Sequence, residues 1–129
     1  MLDLTAVTSA VTVTYSGPEA GTVTFGTNTI TFSEIERIDL TAQADSVTAG
    51  ASDDVIYGYA GDDVVVAGAG SDTVFGGAGN DSITSGSGDD SLSGGSGDDT
   101  FYITGPGNHS VAGGETSGDN DILDLSAVS

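Results

Sequence analysis

Between Ala49 and Tyr102 the chain reads AGASDDVIY, GYAGDDVVV, AGAGSDTVF, GGAGNDSIT, SGSGDDSLS and GGSGDDTFY, one nine-residue phrase six times over without an insertion. The sixth position is always aspartate: Asp54, Asp63, Asp72, Asp81, Asp90 and Asp99. The eighth is always large and apolar: Ile56, Val65, Val74, Ile83, Leu92 and Phe101. The fourth is glycine in five copies and Ser52 in the first. Six loop residues followed by three strand residues describe half a turn of a narrow coil. Side chains on a strand switch faces at each step, so the three strand residues point out, in, out, and only the eighth position must be apolar. Glycines suit the tight turns because φ > 0 costs a residue with a β-carbon. Two phrases close one turn, so odd copies stack on odd and even on even, giving two columns of loops with aspartates down each.

Those columns carry ten aspartates and no lysine or arginine between Ala49 and Tyr102. Stacked strands lie about 4.8 Å apart, and carboxylates at that spacing repel unless neutralised. Arg37 and, if protonated, His109 are the only cationic side chains in the chain, too few for six positions. A hard divalent cation meets the need. Ca²⁺ accepts six to eight oxygens in flexible geometry, whereas Mg²⁺ demands a tighter octahedron and keeps its water. With no cysteine and one histidine, the chain offers little to zinc or softer metals.

The phrases resemble the Gly-Gly-x-Gly-x-Asp-x-apolar-x nonapeptide of RTX (haemolysin-type) calcium-binding proteins. The resemblance implies an all-β fold, a parallel β-roll or β-solenoid, with Ca²⁺ between neighbouring loops of a column. The sixth-position aspartates would be ligands, with loop carbonyls chiefly at Gly61, Gly68, Gly70, Gly77, Gly79, Gly86, Gly88, Gly95 and Gly97. It implies about two complete sites per column and partial sites at the ends. The fifth-position residues Asp53, Asp62, Asp89 and Asp98 are expected to face outward and tune the charge. RTX-like proteins are typically exported from bacteria by type I secretion, which implies an extracellular protein whose folding is triggered by calcium outside the cell. The acidic-then-apolar tail DILDLSAVS is compatible with an uncleaved C-terminal signal. The absence of cysteine agrees with such a route.

The organisation expected is a β-strand segment over 1–39, serving as an N-terminal cap, the β-roll over 40–103, and a degenerate repeat with a C-terminal cap over 104–129. LTAQADSVT (Leu40 to Thr48) keeps the period, with Asp45 and Val47 in phase; TGPGNHSVA (Thr104 to Ala112) slips by one residue and puts His109 in the aspartate slot and Val111 in the apolar slot. Upstream, VTVTY (from Val11), GTVTF (from Gly21) and TITF (from Thr29) alternate Thr with apolar residues as strands do, with turns at SGPE and GTN. SEIERIDL reads either as a strand through Ile38 and Leu40, the preferred reading, or as a helical turn with a Ser33/Glu36 capping box.

A net charge of −19 argues against nucleic acid or anionic membranes as partners. No stretch approaches the ~20 apolar residues of a membrane span, and MLDLTAVTSA lacks the basic start of a signal peptide. So acidic a chain is expected to be largely unfolded across the repeats until metal binds. Catalysis is not expected. The single histidine lies in a repeat slot, and Arg37 is expected to pair with a nearby surface carboxylate. The paired aspartates recur alike in every phrase, unlike a glycosidase pair. GGAGND lacks the lysine of a phosphate loop, and the residues after Asp119 lack the glycine of an EF-hand loop. There is no Trp, and the tyrosines look scattered along the chain rather than grouped as a sugar platform.

One more repeat stands out: LDLTAV (Leu2 to Val7) returns as LDLSAV (Leu123 to Val128), with an echo in IDLTAQ from Ile38. Either the matching ends mark a unit that self-associates head to tail, as a filament or surface-layer subunit, or the phrase simply ends coils. The alternative function is that of a repeat tail from a secreted enzyme (protease, lipase or epimerase) whose catalytic domain is not in this chain.

Overall fold

The computed structural model describes all residues but 18–19, 34, 115–117 and 129, together with the side chains of 30, 32 and 33. Fourteen strands follow in order: β1 (Leu2–Asp3), β2 (Thr12–Tyr15), β3 (Ala20–Phe25), β4 (Asn28–Ser33), β5 (Arg37–Asp39), β6 (Ser46–Thr48), β7 (Val55–Ala60), β8 (Val64–Ala69), β9 (Thr73–Ala78), β10 (Ser82–Ser87), β11 (Ser91–Ser96), β12 (Thr100–Tyr102), β13 (Ser110–Gly114) and β14 (Ile122–Asp124). Among the described residues there is no helix. The SEIERIDL stretch forms a strand over Arg37–Asp39, while its capping-box serine side chain and Glu34 lie outside the described residues, as do Pro18 and Glu19 of the SGPE turn.

The chain winds as a parallel β-roll. One sheet has the order β1-β5-β7-β9-β11-β13, the other β14-β12-β10-β8-β6-β2-β3-β4. Residues 18 apart stand side by side: Ile56 opposite Val74, Val74 opposite Leu92, Val65 opposite Ile83, Ile83 opposite Phe101. Two nine-residue phrases therefore make one coil. After Tyr102 the offset grows, to 19 residues between Leu92 and Val111 and 22 between Phe101 and Leu123.

All six eighth-position side chains are at most 2% exposed and form the thin core between the sheets. Strands β7 to β11 are six residues long, twice the length read from the repeat. Their burial alternates through the first position of the next phrase, so Gly58, Ala67, Gly76, Ser85 and Gly94 also face inward. Only the fourth to sixth positions remain as loop. The second position stays in the sheet although its glycines have positive φ, as at Gly77 (117°), where a β-carbon would collide with the Tyr59 carbonyl. Tyr59 occupies the same slot one coil earlier and is the one non-glycine described with positive φ, 71°. An L-residue held there costs about 1–2 kcal/mol.

The first two strands already belong to the roll: β1 pairs with β5 and β2 with β6, both parallel. Between β2 and β5 the chain inserts the antiparallel hairpin β3–β4, which extends the second sheet past β2. Val13 and Val23, opposite one another, are fully buried. The Tyr15 hydroxyl donates to the Ile35 carbonyl at 3.1 Å, tying the hairpin's exit to β2.

Candidate metal centre

Each coil turns through two three-residue loops, and the sixth-position aspartate ends each loop just before a strand begins. The structure brings these side chains together in two columns. One runs Asp45, Asp63, Asp81, Asp99, Asp121; the other runs Asp54, Asp72, Asp90 and ends at His109. All six sixth-position aspartates are at most 2% exposed. A backbone rung from the preceding coil fixes five of them, for example the N–H of Asp63 donating to Asp81 Oδ1 (2.9 Å), that of Asp81 to Asp99 Oδ1 (2.8 Å) and that of Asp72 to Asp90 Oδ1 (3.0 Å), while Asp54 accepts the Gly50 N–H of its own loop (3.4 Å). The first column continues at both ends, from Val11 N–H to Asp45 Oδ1 (2.8 Å) and from Asp99 N–H to Asp121 Oδ1 (3.0 Å).

The rung uses one carboxylate oxygen and leaves the other. Asp63, Asp72, Asp81 and Asp99 each hold a buried Oδ2 without a hydrogen-bond partner, in Asp54 the corresponding atom is Oδ1, and in Asp90 the Oδ2 faces only the His109 ring. Buried polar atoms in folded proteins are nearly always satisfied, so a periodic series of orphan acceptors calls for a cation. Beside the first column the space is shaped as well. A β-carbon on Gly58 would collide with Asp63 Oδ2 and the Gly76 carbonyl; one on Gly76, with Asp81 Oδ2 and the Gly94 carbonyl. Carboxylate and next-coil carbonyl thus converge on one cradle. In the second column the matching first positions are Ala49, Ala67 and Ser85, so the two columns are not equivalent.

No group of three or more acidic or histidine side chains suited to a metal lies among the described residues. A cation in these loops would rest on backbone carbonyls with a carboxylate from each loop, a donor set of hard oxygens that fits Ca²⁺. Burial pushes the free carboxyls up: Asp63 to about 8, Asp72 to about 7 and Asp81 to about 6. The rung N–H opposes the shift in each, and the carboxylate of the next coil adds to it. Burial also raises Asp54 and Asp99.

The candidate glycines divide by place in the loop. Gly61, Gly70, Gly79, Gly88 and Gly97 stand at the fourth position and Gly68, Gly77, Gly86 and Gly95 at the second, all with positive φ. The fifth-position carboxylates form a ladder the repeat had not disclosed. Asp53 Oδ1 accepts the Ser71 N–H (2.7 Å), Asp62 that of Asn80 (2.8 Å), Asp89 that of Asn108 (2.8 Å) and Asp98 that of Asn120 (2.8 Å). These outer rungs run opposite to the inner ones, each carboxylate accepting a hydrogen bond from the N–H of the following coil. Asn serves equally, as Asn80 Oδ1 accepts the Asp98 N–H (2.8 Å), which explains why that slot tolerates an amide. His109 keeps its place at the end of the second column, with Nδ1 3.1 Å from Asp90 Oδ2 and Nε2 3.2 Å from the Gly105 carbonyl.

Arg37 pairs with Asp39, Nε to Oδ1 at 2.9 Å and Nη2 to Oδ2 at 3.0 Å, and lies 4.6 Å over the Tyr57 ring. The tyrosines are less scattered than their numbers suggest. Tyr57 stacks on Phe75 (4.8 Å between centroids) and Tyr59 lies 6.1 Å from Tyr57, on the outer face of one sheet. The signal was available, since residues 57 and 75 share one slot in the repeat, 18 positions apart.

The RTX calcium-binding nonapeptide repeat family model matches residues 39–74 and 67–101, the stretch that builds the aspartate columns. These repeats are of the class that binds Ca²⁺. Comparison with curated proteins gave no match, and neither did comparison with solved structures.

Proposed function

We propose that this chain is a calcium-folded structural module of a secreted protein, in which metal binding and folding are one event and the roll serves assembly rather than catalysis. The ligands are Asp54, Asp63, Asp72, Asp81, Asp90 and Asp99 together with the loop carbonyls around the glycines named above. The observation that carries this reading is the series of buried carboxylate oxygens with no hydrogen-bond partner, repeated coil by coil. Bound Ca²⁺ supplies the positive charge that the chain, with one arginine and twenty acidic residues, does not. An extracellular setting agrees with this, because calcium there is abundant enough to occupy sites of modest affinity.

Assembly is favoured by the two ends of the roll. Among the described residues, the hairpin β3–β4 extends the second sheet at the N-terminal end and β1 forms the edge of the first, whereas Ile122, Leu123, Leu125 and Val128 at the other end are more than half exposed. Leu123, Leu125 and Val128 line, with Ile103, Pro106 and Val111, an apolar hollow of about 330 Å³. The sites are tested by paired substitutions. Asp81→Asn keeps an oxygen for the inner rung but removes the charge, and is expected to raise the calcium needed for folding; Asp62→Asn, on the outer ladder, is expected to leave it unchanged. Equal effects of the two would assign the calcium dependence to overall charge instead.

A further inference from the structure

The phrase Leu2–Val7 and its near copy Leu123–Val128 fold alike. In each, the aspartate side chain accepts the N–H two residues on: Thr5 to Asp3 Oδ1 at 3.0 Å, Ser126 to Asp124 Oδ1 at 2.8 Å. In each, the valine N–H closes a turn on the leucine carbonyl, Val7 to Leu4 at 2.8 Å and Val128 to Leu125 at 3.1 Å. Burial separates them. Leu4 is 3% exposed, with Leu2 and Val7 packed on the core, while Leu123, Leu125 and Val128 are 52%, 55% and 53% exposed.

The cause lies in what each copy pairs with. β1 has β5 on one side, Leu2 opposite Ile38 and Asp3 opposite Asp39, and ends its sheet on the other. β14 has β12 on the opposite side, Leu123 opposite Phe101, and likewise ends its sheet. Both pairings are parallel. One strand of this sequence therefore has a built neighbour above in one place and below in the other, and each copy shows half of a two-sided environment.

We propose that β14 of one copy replaces β1 on β5 of a second copy, so that chains link by exchange of the LDL(S/T)AV phrase; this rests on the assembly reading above and specifies its joint. The exchanged strand would keep β12 of its own chain and gain β5 of the next, and its leucines and valine would take the buried places that Leu2, Leu4 and Val7 hold. The resident strand offers little resistance, being two residues long and paired with β5 alone. β14 belongs to the second sheet and β5 to the first, so the joint runs from the second sheet of one copy into the first sheet of the next; the hairpin β3–β4 occupies the outer edge of β2 and blocks the matching continuation there, so the joint is a single strand.

The test uses the full chain in calcium, by sedimentation velocity over a range of concentrations. Larger species are expected to form, and the double variant Leu123→Asp/Leu125→Asp, altered at side chains already half exposed in the monomer, is expected to raise the midpoint of assembly about tenfold or more, equivalent to at least ~1.4 kcal/mol. An excess of the synthetic peptide DILDLSAV is expected to dissolve the assemblies, and a scrambled peptide to leave them intact. Assemblies indifferent to both the variant and the peptide would overturn strand exchange while leaving assembly in place. A chain that stays monomeric throughout would remove both.

Discussion

Removing calcium should make the fold depend on protons. In the metal-free roll, burial raises Asp63 from 3.8 to about 8, Asp72 to about 7 and Asp81 to about 6. A carboxyl whose pKa is higher folded than unfolded binds more protons in the folded state. Its contribution is complete below the unfolded value and lost as pH rises through the folded value. The window here runs from about 4 to about 8. A tenfold change in proton affinity is worth about 1.4 kcal/mol, so Asp63 alone withdraws roughly 4 kcal/mol at pH 7; Asp72 and Asp81 add to it, but less than in proportion, because the repulsion between Asp63 and Asp81 is shared. That is a large share of the stability of an ordinary domain, so the metal-free chain should be mostly unfolded at neutral pH. At pH 5 roughly half of the penalty is relieved. The assay is far-UV circular dichroism in chelator between pH 8 and pH 5, at low concentration because the isoelectric point is about 4.1. Gain of β signal on acidification is expected, with sedimentation confirming a monomer. Equal structure at pH 8 and pH 5, or loss on acidification, would show that the buried carboxylates do not oppose folding.

Other perturbations test the backbone and the core in calcium. Gly77→Ala puts a β-carbon against the Tyr59 carbonyl at a φ of 117° and should cost about 2 kcal/mol or more, read as a lower denaturation midpoint. Phe101→Ala empties the largest fully buried side chain and should cost about 3–5 kcal/mol in a denaturant titration. Tyr59→Gly should go the other way, gaining about 0.5–1 kcal/mol as the strained φ is released, net of the lost ring contact with Tyr57.

The repeat made the coil legible because it is a constraint with no slack. One inward apolar residue and one aspartate per half turn leave only an 18-residue stack, and Ile56, Val74 and Leu92 stand side by side as the spacing requires. Strand length was less legible, because the first position faces inward with glycine in one sheet and alanine or serine in the other, and neither signals burial. The outer ladder was hidden for a related reason: Asp62 at the surface looks like free charge until its partner, the Asn80 N–H, is placed 18 residues on. Upstream, VTVTY and GTVTF were readable as strands by their alternation. Nothing in that alternation says that the first continues the parallel roll while the second turns back against it.

Whether calcium folds the roll is decided by a calcium titration followed by far-UV circular dichroism at pH 7.5, with magnesium in parallel. A cooperative passage from coil to β-structure is expected with calcium and none with equal magnesium. A chain already folded in chelator, or folded as well by magnesium, would contradict the role given to the aspartate columns.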